Sequence, residues 1–357
     1  MAEDNFPFGL SSRRGRRLTH LDGLRGIAAI GVMLYHVHYL YGFTLGFERG
    51  YLFVDLFFML SGFVLSLAWA PEFERRASTG KLMIARLRRL WPMIAAAAVI
   101  GAGVHALLGD VDHIWLCLSL ALLLVPLIGQ SDLAFPLNGP QWSILWELIA
   151  NFIHVRWFRR ANTGKLLVVA TIMALCLILA IELGGADISG PTSSFWWFAF
   201  ARVGWSYTVG MLIARHSQTN DRGQDDRQQG APWWLVLSII VLVVLLVPFL
   251  PLSTATGDIL VVLFAFPALF SILVTAQQPV KAERILSKLG TLSFPLYATH
   301  LALLTFFMSF TMPRILAAGF AVATSLLLAA CLGSLLDRQK KVPRAKPGTL
   351  RVSPSGV

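Results

Sequence analysis

Arg25 and His36 stand eleven residues apart in the apolar stretch LDGLRGIAAIGVMLYHV, and hydrocarbon makes both groups costly to bury without a use. On a helix, eleven steps of about 100° return to within roughly 20° of the starting direction, so the two side chains share a face, about 16 Å apart along the axis. A guanidinium suits phosphate or carboxylate, and an imidazole that titrates near neutrality suits proton abstraction. The pair also fits a snorkelling arginine and a histidine hydrogen-bonded inside a helix bundle. Glu147, in NGPQWSILWELIANF, follows Trp142 and Ser143 and lies about one and a half turns into its apolar segment. A carboxylate at that depth needs a partner. One candidate is His36, whose ring it would orient and whose protonated form it would stabilise; the other is a buried polar group such as Arg202.

Further groups of the same kind recur along the chain. KLMIARLRRLWP offers Lys81, Arg86, Arg88 and Arg89 ahead of an apolar run, a cluster suited to phosphates and equally to lipid headgroups. Asp55 in YLFVDLFFMLSGF, Arg202 in FARVGWSY, and Tyr297 and His300 in LSFPLYATH can line a cavity or join helices by hydrogen bonds. Ser61 and Gly62 read most simply as a close helix contact.

These residues must be held by a membrane scaffold. Of the 357 residues 56% are hydrophobic and 14% charged, against about 45 to 50% and about 25% in soluble domains. The net charge of +11 sits in short segments between apolar runs, a pattern that fits topology and anionic headgroups and argues against nucleic-acid binding. Cys117, Cys176 and Cys331 are isolated and read as core residues, with no spacing for a metal site or a disulfide framework. Arg13, Arg14, Arg16 and Arg17 precede the first apolar run as in a signal peptide, but that run contains Arg25 and lacks a small-residue cleavage site.

Ten stretches are long enough to cross a bilayer: 23–43, 50–70, 92–108, 141–157, 165–183, 194–213, 232–250, 256–275, 291–310 and 314–335. With ten crossings and both termini cytoplasmic, 26 of the 30 Lys and Arg residues fall inside. An eleventh apolar segment, 113–129, would place 16 of those cations outside if it crossed. It is therefore expected to be re-entrant or interfacial, interrupted at Pro126. The reading is an all-α polytopic membrane protein with a basic cytoplasmic segment over 1–19, a membrane domain over 20–336 and a basic cytoplasmic tail over 337–357. No internal repeat is visible, which weakens a transporter built from duplicated halves. In this topology Arg25 lies near the cytoplasmic face and His36 deeper, as a phosphate-bearing acyl carrier such as coenzyme A would require.

Five blocks in order resemble the acyltransferase-3 family of integral membrane acyltransferases. They are LDGLRGIAAIGVMLYH, VDLFFMLSGF, RLRRLWP, NGPQWSILWE and LSFPLYATH. Met59 stands where that family commonly has valine, and Phe294 and Pro295 interrupt a block that usually reads Ser-Tyr. The resemblance implies transfer of an acyl group, often acetyl, from cytoplasmic acyl-CoA as co-substrate to a hydroxyl of a glycan, exopolysaccharide, lipid or other envelope or secreted molecule. No bound cofactor or metal is implied. Carried onto this chain, His36 is the essential base and Arg25 holds the acyl donor; the reading of the residues adds Glu147 as the group that orients His36 and Arg86, Arg88 and Arg89 as further donor-binding cations. Asp55, Trp142, Ser143, Arg202, Tyr297 and His300 are candidate cavity-lining residues, and the expected location is a bacterial inner membrane. Some relatives carry a further extracytoplasmic domain. This chain leaves no room for one after the tail, so the membrane domain, or an unseen partner, is expected to complete the transfer. The competing reading is a transporter or flippase for an anionic or glycan-linked substrate, in which the same groups line a path without covalent chemistry.

Overall fold

The computed structural model describes residues 18–68, 78–129, 131–186, 190–220, 230–277 and 279–341. Arg13, Arg14, Arg16, Arg17, Arg75, Arg76, Arg222, Arg227 and the basic tail beyond 341 lie outside the described residues. In chain order the helices are α1 Thr19–Tyr41, α2 Phe53–Ala68, α3 Thr79–Leu108, α4 Ile114–Leu122, α5 Gln141–Ile153 and α6 Thr163–Gly184. Then follow α7 Ala199–Asn220, α8 Trp233–Leu246, α9 Thr254–Val274 with a π turn over Val261–Ala265, α10 Glu283–Met308 and α11 Arg314–Lys341. Among the described residues the only β pairing is an isolated bridge between Leu133 and Thr192.

Local chemistry sets several of these ends. Ser78 and Asn162 cap α3 and α6 by accepting from the amides of Lys81 and Lys165, and Gly42 and Gly109 close α1 and α3 in left-handed conformations at φ 75° and 67°. Between the ends, apolar residues face outward as well as inward. On α6, Val168, Ile172, Leu175 and Leu179 form an exposed stripe that only hydrocarbon would cover at low cost.

A helix stands at each of the ten stretches expected to cross. Six helical spans are long and apolar enough by themselves, in α2, α3, α6, α9, α10 and α11. Polar residues such as Asp22, Arg25 and His36 lower the hydropathy of α1, and α5 and α8 are shorter. In the extra segment, α4 has nine residues, about 14 Å, less than half of a hydrocarbon core of about 30 Å. It ends before Leu124, which sits at φ 57°, and the indole of Trp91 donates to the carbonyl of Leu122 at 3.1 Å. Cys117 is buried as expected, whereas Cys176 and Cys331 lie exposed on the outside of the bundle rather than in its core.

Two glycine-lined interfaces position the site. Between α1 and α10, a Cβ on Gly26 would stand 2.6 Å from the Cβ of Leu289, and one on Gly290 would stand 2.6 Å from the Cβ of Asp22. The Tyr41 hydroxyl, donating to the Leu304 carbonyl at 2.8 Å, pins the far end of the same pair. Between α2 and α7, a Cβ on Gly62 would run into the carbonyl oxygen of Tyr207, and one on Gly210 into that of Met59. Main chain cannot rotate aside, so Gly62→Ala and Gly210→Ala are each expected to destabilise the protein by about 1–3 kcal/mol. Thermal unfolding in detergent reads this directly, and wild-type stability in both variants would refute the close contact.

Candidate functional site

The charged part of the site is built where α1, α2, α3 and α5 converge. The Arg86 guanidinium donates from one nitrogen to Glu147 Oε1 and to Ser61 Oγ, each at 2.7 Å, and the Ser61 hydroxyl donates to the same Glu147 oxygen at 2.7 Å. Arg25 and Arg89 lie within electrostatic range of this carboxylate, and Asp22 lies within range of Arg89. Arg89 follows Arg86 by three residues and so shares its side of α3, whereas Arg88 stands about 200° round the helix from Arg86; both Arg88 and Arg89 are exposed. Three guanidinium groups against the two carboxylates of Glu147 and Asp22 leave one net positive charge, which suits an anion.

Glu147 therefore does not carry the imidazole of His36, as the sequence led one to expect, nor does it pair with Arg202. A guanidinium at hydrogen-bond distance is a full charge and holds a carboxylate more strongly than a neutral ring can. Behind it, Tyr207 donates to Asn151 Oδ1 at 2.9 Å and approaches His154 Nδ1 at 3.0 Å, extending a polar seam into α7. Ser61, Asn151, His154 and Tyr207 were not legible as site residues. Their only signal was a polar residue on an apolar segment, which helix packing explains equally well.

One turn before Glu147 on the same face of α5, Ser143 donates to the Pro140 carbonyl at 2.9 Å, so the Tyr297 hydroxyl donates to Ser143 Oγ at 2.7 Å. The Tyr297 ring lies 6.1 Å from that of His300, and His300 Nε2 lies 3.1 Å from His36 Nδ1. His36 Nδ1 also faces the Val32 carbonyl at 2.9 Å. His36 is partly exposed and His300 fully buried. The structure thus brings together Ser143, Tyr297, His300 and His36 at one level, with Glu147 and the arginines at another. The roughly 16 Å between Arg25 and His36 along α1 joins the two levels.

Asp55 and Arg202 play a different part from the one expected of cavity-lining groups. Arg202 is 2% exposed and Asp55 0%. The guanidinium reaches the carboxylate through Nε at 3.0 and 3.2 Å and through Nη2 at 2.8 Å, and it also donates to the carbonyls of Ala186 and Tyr51. Ser206 adds a bond to Asp55 at 3.1 Å, and the Trp142 ring lies 5.7 Å from the guanidinium carbon. These bonds, all made within the protein, mark a pair that ties α2 to α7.

Comparison with known proteins bears on this arrangement. A family profile described as an acyltransferase domain matches residues 18–336. The chain is 30% identical over 194 residues to "Protein 2 in picA locus" of Rhizobium radiobacter, covering 48% of this chain and 98% of that protein. It is 32% identical over 82 residues to the peptidoglycan O-acetyltransferase OatA of Listeria monocytogenes, covering 22% of this chain and 12% of that one. It is 33% identical over 104 residues to a putative O-acetyltransferase of Staphylococcus aureus, covering 28% of this chain and 16% of that one. The two named O-acetyltransferases are thus matched over less than a fifth of their length. No solved structure matches.

Proposed function

This chain belongs to the acyltransferase-3 family of integral membrane acyltransferases, and from that membership we propose that it is an O-acyltransferase using cytoplasmic acyl-CoA, in the simplest form acetyl-CoA. The acceptor is a hydroxyl of a glycan, exopolysaccharide, lipid or other envelope molecule, reached from ten membrane crossings with both termini in the cytoplasm of a bacterial inner membrane. One observation carries the reading: α1 alone supplies a cation at the charged level and an imidazole about 16 Å further on, matching a donor whose phosphates and thioester lie far apart.

In this scheme Arg25, Arg86 and Arg89 hold the phosphates, and Glu147 fixes Arg86. His36 takes the proton of the acceptor hydroxyl as its oxygen attacks the thioester carbonyl, and the carbon–sulfur bond breaks as the tetrahedral centre collapses. The same proton then passes from His36 to the departing thiolate, so ester and free thiol form with no other reactant.

The test is release of free thiol from acetyl-CoA by the purified protein in detergent, with acceptor-bearing membranes supplied. Acceptor-dependent release supports acyl transfer, and an intact thioester favours a transporter. A finer prediction concerns Arg25. Arg25→Ala is expected to raise the KM for acetyl-CoA about 10-fold or more, and Arg25→Lys to leave most of that loss in place, because a point charge does not reproduce a bidentate fork. Full recovery in Arg25→Lys would reduce the role to simple charge.

A further inference from the structure

Resting on the acyl-transfer reading, we infer that His300 is a positioning residue that fixes the proton of His36 on Nδ1 and so makes Nε2 its working base. The protons of the pair can be counted. His300 Nδ1 lies 2.9 Å from the Leu296 carbonyl, which only accepts, so that nitrogen carries hydrogen and a neutral ring leaves Nε2 bare. This bare nitrogen lies 3.1 Å from His36 Nδ1, which also faces the Val32 carbonyl at 2.9 Å. Two acceptors converge on one nitrogen, so His36 Nδ1 carries the proton they share. The opposite tautomer would set a third lone pair against those two. Placing the proton on His300 instead would make a cation of a ring that is 0% exposed.

What remains on His36 is the Nε2 lone pair, which has no hydrogen-bond partner among the described residues and belongs to the partly exposed ring of the two. When Nε2 takes a proton, the Nδ1–H bond to His300 becomes charge-assisted and strengthens. His300 thereby does what a carboxylate does behind the histidine of a catalytic triad, with one chemical difference. A neutral partner does not trap the imidazolium as an ion pair, which suits a base that must hand the same proton on to a thiolate within one turnover. The close approach of α1 and α10 at Gly26 and Gly290, together with the Tyr41 bond to α10, sets the distance between the two rings.

The experiment labels the histidines with nitrogen-15 in the full chain, in detergent, and reads ring protonation from the nitrogen shifts, His36 being assigned by the signals missing in His36→Ala. Wild type is expected to show His36 as the Nδ1–H form alone, and His300→Ala to show it exchanging between tautomers. In turnover, His300→Ala is expected to lower kcat about 10- to 100-fold with the KM for acetyl-CoA unchanged, and His300→Gln, whose amide oxygen can accept, to recover a measurable part. A proton on His36 Nε2 in wild type, or full kcat in folded His300→Ala, would overturn the assignment. The Nδ1–H form in a protein that never turns over acetyl-CoA would keep the tautomer and overturn the acyl-transfer reading instead.

Discussion

His36→Ala is expected to lower acetyl-CoA turnover about 10²- to 10⁴-fold, the range that loss of a positioned general base produces. The effect should fall on kcat, because in the proposed scheme the donor's phosphates are held about 16 Å away at Arg25, Arg86 and Arg89 and do not depend on the imidazole. Stability should change little, since the ring is partly exposed and makes its bonds to one main-chain carbonyl and one other histidine. A folded His36→Ala with wild-type turnover would remove His36 from the chemistry and with it the proposed use of the α1 face. A matched rise in KM would place His36 in donor binding instead.

Asp55→Ala is expected to be the most damaging single substitution for folding, at about 3–5 kcal/mol, because it strands a guanidinium that is 2% exposed. Asp55 accepts three contacts from Arg202 and one from Ser206, and what remains to the cation is the pair of carbonyls of Ala186 and Tyr51. Arg202→Ala should cost a comparable amount by leaving the carboxylate buried without its counter-charge. Replacing both residues by leucine is expected to cost less than either single change, since it removes both buried charges and strands neither. Thermal unfolding and the yield of monodisperse protein in detergent give the order. If the double variant were worse than both singles, the pair would be contributing net stability rather than mutual neutralisation.

Much of this protein was legible before any fold was known. Composition and the run of apolar stretches gave the class, and a helix stands at each of the ten places marked as spans. The charge pattern argues against a crossing by the segment after His113, and the helix there is nine residues long. Ser61 and Gly62 both read as a close helix contact; Gly62 meets the main chain of α7, whereas Ser61 bonds Glu147 and Arg86 in the charged cluster. The Arg25 and His36 spacing fixed a shared face, because helical periodicity is a local property that the sequence carries by itself.

Partner choice was the part that only the tertiary structure decided. Glu147, Asp55, Arg202, His36 and His300 all appear as polar groups in apolar runs, and the sequence offers several pairings of nearly equal merit. Helix rotation and the glycine-set spacings between helices then bring Arg86, and neither His36 nor Arg202, to 2.7 Å from Glu147, and bring Arg202 to Asp55. They also leave His36 facing His300, a neighbour 264 positions away in sequence. Hydrogen bonds and buried ion pairs fall off steeply with distance and angle, so displacements of an ångström or two between helices select among partners that composition and periodicity leave equivalent.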